Sequence, residues 1–331
     1  MADQSWPWPR GSATGIGSLP GSDIVDATKM VFGELPDLPH LPELPARGPG
    51  ADMIGRTTAF LADLPVELYA GQWRVASRPG RDLRRTLDLL ERDIDALAEA
   101  GQGFGGTVKI QAVGPWTLAA SVDLAVGGRM LRDHGAARDV AESLTEGLRQ
   151  HVAGVQTRLP GATVVLQVDE PSLPAVLAGE VPTESGLYTL RSVKDSTVES
   201  SLRALVSAVG APVVVHCCAR RVPVGLLART GAAALSVDLS LVEDLDPIGE
   251  AVDAGVGIFA GVAATTGERA PASVDLADTV DTLWRRLGFA PERLADQVVV
   301  TPACGLAGAT PEYARGVLAA CVEAGRRLAE R

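Results

Sequence analysis

The segment VVVHCCA, residues 213–219, sets three β-branched residues directly before one histidine and two cysteines. β-branched residues favour the extended chain, in which successive side chains point to opposite faces, so His216 and Cys218 share a face and Cys217 takes the other. An imidazole and a thiolate on one face are metal ligands in type and spacing. Two further apolar runs end in groups of the same kind: Asp238 follows ALSV, and Cys304 follows VVVTPA. Together they supply one nitrogen, two thiolates and one carboxylate, a donor set that suits a tetrahedral Zn²⁺ ion. Spacing alone leaves a second reading open, in which the same residues are inert buried cysteines and a hydrogen-bonded aspartate. Cys217, and Cys321 on the apolar face of the last helical stretch, read as packed small apolar residues.

Donors this far apart in the chain need a scaffold that brings them to one place. Helix-period segments occur at 82–100, 133–158, 197–209, 274–286 and 311–330. Short apolar runs lie around them at 14–18, 66–70, 108–115, 163–171, 212–218, 234–240, 256–263 and 298–305. A run that is apolar on both faces is how a strand of a parallel sheet reads. Eight such strands alternating with helices predict an α/β fold, a (β/α)8 TIM barrel formed as a single domain over residues 1–331, with a doubly wound open sheet as the alternative. In such a barrel the active site forms at the C-terminal ends of the strands. Asp169 and Glu170, which follow VVLQV, stand at another of these ends; Glu170 faces away from Asp169 or caps the loop.

Before the second of these runs, LPDLPHLPELPARGP at 35–49 repeats proline every third residue. Proline removes backbone donors and favours polyproline geometry, so this N-terminal extension reads as a rigid surface arm, or as a lid or subunit contact. His40 within it, and His134 and His151 in helical stretches, read as solvated.

Composition narrows the class of function. The chain has 331 residues, 46% of them apolar, and a formal net charge of -11. Nucleic acids and anionic membrane surfaces need clustered Lys and Arg, so neither partner fits. No stretch approaches the roughly 18 uninterrupted apolar residues of a membrane span, and MADQSWPWPRGS lacks the apolar centre of a signal peptide. Four cysteines are too few for a disulfide framework in a chain of this size, which points to a reducing compartment and a cytoplasmic enzyme.

TGIGSLP, LQVDEP, VVVHCC with a downstream Asp, and TPACGL follow one another in an order that resembles the catalytic barrel of cobalamin-independent methionine synthases, in a short, single-barrel form. The resemblance runs from Thr14 to Leu306. It implies that zinc is held by His216, Cys218, Asp238 (where the long enzymes have Glu) and Cys304, and that the zinc binds the sulfur of homocysteine. It also implies that Ile16, Gly17 and Ser18 contact the carboxylate of the amino acid and that Asp169 anchors its amino group. Exposed amides and a hydroxyl opposite a carboxylate do complement a zwitterion.

Several positions depart from the family pattern. The Glu that contacts the substrate amino group falls near Arg47, where no acid stands. The general-acid His aligns with Val262, the aromatic that stacks on folate with Ser121, and an acidic folate contact with Ala175. These departures predict that the methyl donor is a methylated corrinoid, free or carried by a corrinoid protein, because cobalt leaves without needing the acid that a folate nitrogen requires. The expected activity is therefore zinc-dependent methyl transfer to homocysteine, giving methionine. The alternatives are a zinc-dependent methyltransferase or lyase for another thiol or thioether, and a non-catalytic zinc-containing barrel that binds a partner.

Overall fold

Residues 6–331 are described in a computed structural model of the chain. Two short strands, β1 (Val66–Tyr69) and β2 (Gln72–Val75), pair antiparallel as a hairpin. The remaining six, β3 (Thr107–Val113), β4 (Thr163–Asp169), β5 (Val213–Cys217), β6 (Ala234–Asp238), β7 (Gly257–Ala263) and β8 (Val298–Pro302), form one sheet. They are parallel and lie in sequence order, with helices in the connections. Every residue of β3, β5 and β8 is buried, which is why these runs carry apolar residues on both faces. The helix-period segments appear as helices Arg81–Ala100, His134–Arg158, Asp195–Ala208, Ser273–Leu287 and Pro311–Ala329.

The expectation of eight barrel strands holds for six. The run at 66–70 belongs to the hairpin, since Ala70 and Gly71 both take positive φ and turn the chain straight back. The run at 14–18 forms no ladder. Instead, single parallel bridges link Ala13 to Val300 on β8, Ser18 to Glu43, and His40 to Lys109 on β3. The two edges of the sheet are therefore joined through two irregular segments, 13–18 and 40–43.

The second of these segments lies within the proline arm, whose middle, Leu38 to Leu44, is buried rather than on the surface, while Pro36, Asp37, Ala46 and Pro49 are exposed. Leu35, Leu38, Leu41 and Leu44 are all fully buried. The leucine at every third position gives the segment apolar side chains to bury in the core, and Pro39, His40, Pro42 and Glu43 are carried in with them. Proline cannot sustain a ladder, yet Leu41 N–H still donates to Lys109 O, and Lys109 N–H to Pro39 O, each at 2.9 Å.

One end of the sheet's interior is sealed. Trp8 packs with Leu38 and with Val165, Val214, Ala234, Phe259 and Val299, the last five near the starts of their strands. Its indole meets Phe259 edge-on at 5.0 Å between ring centroids and donates to Asp296 O. A pocket is left to the opposite end, where the strands finish. Among the described residues no helix is long and apolar enough to cross a membrane.

Candidate metal centre

Strand register places the first two donors. On β5, His216 pairs with Asp169 of β4 on one side and Ser236 of β6 on the other, so all three side chains project inward together. Cys218 lies just past the strand end, two residues on from His216 and on the same face. Cys304 comes from the turn after β8. The ligand atoms of His216, Cys218 and Cys304 all lie within 4.8 Å of one another, and the two Sγ atoms are 3.1 Å apart. The hydrogen bond between the two sulfurs raises the pKa of Cys218 and lowers that of Cys304, which the nearby His216 lowers further.

The imidazole is 3% exposed. Its Nδ1 lies 2.9 Å from Ser236 Oγ, and its Nε2 has no hydrogen-bond partner. A buried ring nitrogen without a partner beside two thiols is a costly arrangement for a polar interior and a natural one for a metal site. The residues present therefore fit an ion such as zinc. Cys217 and Cys321 are buried elsewhere, as small apolar residues would be.

Asp238 does not join this group. It ends β6, but its Oδ1 accepts hydrogen bonds from Ser240 N (2.9 Å) and Ser240 Oγ (2.6 Å), capping the turn Leu239–Leu241. A short Asp side chain reaches its own backbone two residues on more readily than it reaches across a barrel mouth. The expected four-donor set is thus three donors in this geometry.

A cavity of about 300 Å³ opens beside the three. Ile16, Gly17, Ser18 and Asp169, all expected at the substrate, line it together with His216, Cys218 and Cys304. Asp169 is 6% exposed and accepts from Gln167 Nε2 at 2.7 Å; burial pushes its carboxyl up to about 7. The Ile16 carbonyl accepts both Lys109 Nζ (2.8 Å) and Gln167 Nε2 (2.9 Å). In a trans peptide the N–H points opposite to the C=O, so these two donors turn the Gly17 amide away from the barrel floor.

Glu43 was missing from the expected site and also lines the cavity, as do Asp52 and Met53. It is 5% exposed, lies 3.7 Å from Arg56 Nε, and has a raised pKa because burial outweighs that cation. Arg47 itself is engaged with Asp93 at 2.7 Å, and it is Glu43 and Asp52, on either side of it in the chain, that bring carboxylates to the cavity. Lys109 is fully buried beneath, with its pKa lowered to about 7 by burial. In the sequence it was visible only as a lone charge inside the apolar run VKIQAV.

His40 and His151 are corrected as well. Neither is solvated: His40 is fully buried beside Lys109, and His151 is 8% exposed against Phe60. His134 is exposed, as expected. Glu170 caps the segment Pro115–Ser121, accepting from Trp116 N, Thr117 N and Thr117 Oγ1.

A family model described as "Cobalamin-independent synthase, Catalytic domain" matches residues 12–327. Among solved structures, a B12-independent methionine synthase from Shewanella sp. W3-18-1, in complex with selenomethionine, aligns with a TM-score of 0.63 at 12% identity, covering 97% of this chain and 98% of that one. A methyltransferase from Methanosarcina mazei aligns with a TM-score of 0.52 at 16% identity, covering 97% and 94%. At such identities the likeness shows the fold. No curated protein matches by sequence.

Proposed function

The chain belongs to the family of cobalamin-independent synthase catalytic domains, and on that footing we propose that it is a zinc-dependent methyltransferase that acts on the thiol of homocysteine to give methionine. The observation that carries the reading is the unpartnered Nε2 of buried His216 set against two thiols 3.1 Å apart, in a cavity that also presents buried acids. His216, Cys218 and Cys304 are the residues that hold the ion. An ion held by these three donors alone would keep a position for substrate, as catalytic rather than structural zinc sites do, which favours the catalytic reading. Bound there, zinc supplies the Lewis acidity that keeps a substrate thiol ionised at neutral pH.

The chain's own residues orient the amino acid. Asp169 and Glu43 accept its ammonium, while the amides of Gly17 and Ser18 and the Ser18 hydroxyl take its carboxylate. With both ends held, the sulfur is delivered to one place, and such positioning is worth several kcal/mol of barrier. The reading applies to one domain over the whole chain, working in a reducing compartment such as the cytoplasm, where its free cysteines persist.

A corrinoid donor and a corrinoid-protein partner gain no support from a family described as cobalamin-independent. A reduced folate is the first donor to assay, with methylcobalamin as the control.

Metal analysis of purified protein tests the centre directly. Wild type is expected to hold about one zinc per chain, and Cys304→Ser to lose it. A variant that keeps full zinc removes Cys304 from the centre. Turnover with simple thiols equal to that with homocysteine removes the amino-acid clamp instead.

A further inference from the structure

The three donors do not fix which nitrogen of His216 faces the sulfurs or whether that nitrogen carries the proton. Something else must. Ser236 sits directly opposite His216 in the parallel register of β5 and β6. It is 1% exposed, and its Oγ lies 2.9 Å from Nδ1.

We propose that Ser236 is a positioning residue for the metal centre: its hydroxyl oxygen accepts the Nδ1–H of His216, which locks the ring in the tautomer whose Nε2 lone pair faces Cys218 and Cys304. The inference rests on the zinc reading above and adds to it the residue that prepares the imidazole. Neutral imidazole carries one N–H, so a proton held at Nδ1 leaves Nε2 free to ligate. The reverse arrangement, with Ser236 donating to Nδ1, puts the proton on Nε2 and blocks that nitrogen. The unpartnered state of buried Nε2, with the two cysteine sulfurs within 4.8 Å, fits the first arrangement once an ion is present. A ligating histidine usually hands its second N–H to such a partner, and losing the partner typically weakens metal binding 10- to 100-fold.

The partner is a neutral hydroxyl rather than a carboxylate, so it orients the ring without adding charge beside two cysteines. Backbone register supplies the precision. Residues paired across parallel strands are held by the ladder on both sides, so Ser236 cannot drift from His216 without breaking the sheet.

The test is zinc affinity, measured by competition with a chromophoric chelator on full-length protein, with no turnover involved. Ser236→Ala is expected to bind zinc about 10- to 100-fold more weakly than wild type while still reaching one zinc per chain at saturation. Ser236→Thr keeps the hydroxyl and is expected to stay within a few-fold of wild type. Ser236→Val is its isostere without the hydroxyl and is expected to fall with Ser236→Ala. The Thr and Val pair carries the comparison should the alanine variant fold poorly. Equal zinc affinity in the Thr and Val variants overturns the role of Ser236 and leaves the metal centre standing. A wild-type protein that binds no zinc overturns the centre itself, and this inference with it. Cobalt(II) substitution gives a second readout, since a reoriented imidazole in Ser236→Val shifts the visible bands of a tetrahedral ion, whereas a purely structural role leaves them where they were.

Discussion

Two arcs of the same wall build the site in different ways. From β5 to β8 the strands are regular, and hydrogen-bond register alone decides which side chains face inward. This arc delivers nitrogen and sulfur. The opposite arc, 13–18 and 40–43, joins the sheet through single backbone bridges and through side chains of β3 and β4. The bonds between its two segments run through Gly17 O, Glu43 N–H and Glu43 O, which leaves the amides of Gly17 and Ser18 outside the bridge, and Gly17, Ser18 and Glu43 all line the cavity. The regular arc is stable because it is apolar and paired. The irregular arc instead depends on buried polar groups: Lys109, Gln111 and Gln167 hold its carbonyls, and Arg56 sits between Glu43 and Asp93. On the proposed function, the ion would sit where strand register is regular, and the substrate would be recognised from the irregular side.

If that division is right, changes in the two arcs should separate cleanly. The largest effect on stability is expected from Lys109→Met. It removes a fully buried ammonium that donates to Ile16 O and faces Asp169 and Glu43, leaving buried carboxylates unbalanced. Breaking a buried charge pair costs about 3–5 kcal/mol, and urea unfolding of the zinc-free protein should show about that loss. Cys304→Ser, in the regular arc, should change zinc content and leave the same unfolding curve nearly unmoved. A Lys109→Met protein as stable as wild type would mean that the irregular arc does not rely on this charge.

A smaller, functional effect separates the arcs a second time. Glu43→Gln keeps the shape of the side chain but removes the charge offered to a substrate ammonium. KM for homocysteine should rise about 10-fold, or about 1.4 kcal/mol, with zinc affinity unchanged. A fall in zinc content alongside the KM would tie Glu43 to the metal and blur the division proposed here.

The same contrast explains what could be read from the sequence. β3 to β8 and the long helices follow from burial on both faces and from helical periodicity, and His216, Cys218 and Cys304 follow from alternation along strands and the rule that sites form at strand ends. Asp238 meets the same rule, yet its carboxylate caps Ser240 instead of standing among the three, and no pattern of residue types reveals that a local cap competes with ligation. In the irregular arc the signals pointed the wrong way. Proline at every third position suggested a solvated arm, when the informative feature was the leucine at every third position, which gave the same segment apolar side chains to bury. Once that segment is inside, His40 and Glu43 must be inside with it. Lys109 was in plain view, yet a lysine within an apolar run has meaning only when its partners, Ile16 and the two acids, are known to surround it.

The smallest expected effect asks how far the charges of the irregular arc are felt. His151 lies on helix His134–Arg158, its ring 4.4 Å from that of Phe60, with Nε2 unpartnered. Burial, and then the charges of Arg56 and Arg158, lower its pKa to about 3. An unfolded histidine titrates near 6.5. Between these values the unfolded chain takes up a proton that the native state refuses, so this residue costs nothing above about pH 6.5 and destabilises the fold progressively below it. At pH 5.5, one unit below the unfolded value, the cost is about 1.4 kcal/mol. Asp169 and Glu170, raised to about 7, act in the opposite sense, since each is stabilising when protonated and that contribution is lost as the pH rises through about 7. The wild-type curve therefore mixes both, and only a difference isolates the histidine. His151→Phe preserves an aromatic ring against Phe60 and removes the titration. Urea midpoints of the two proteins should coincide, or differ by a constant, between pH 7 and 8, and the variant should gain about 1.4 kcal/mol relative to wild type at pH 5.5. Parallel curves across that range would show that His151 takes up a proton in the native state as readily as in the unfolded chain, and that neither its burial nor the Arg56 charge governs it.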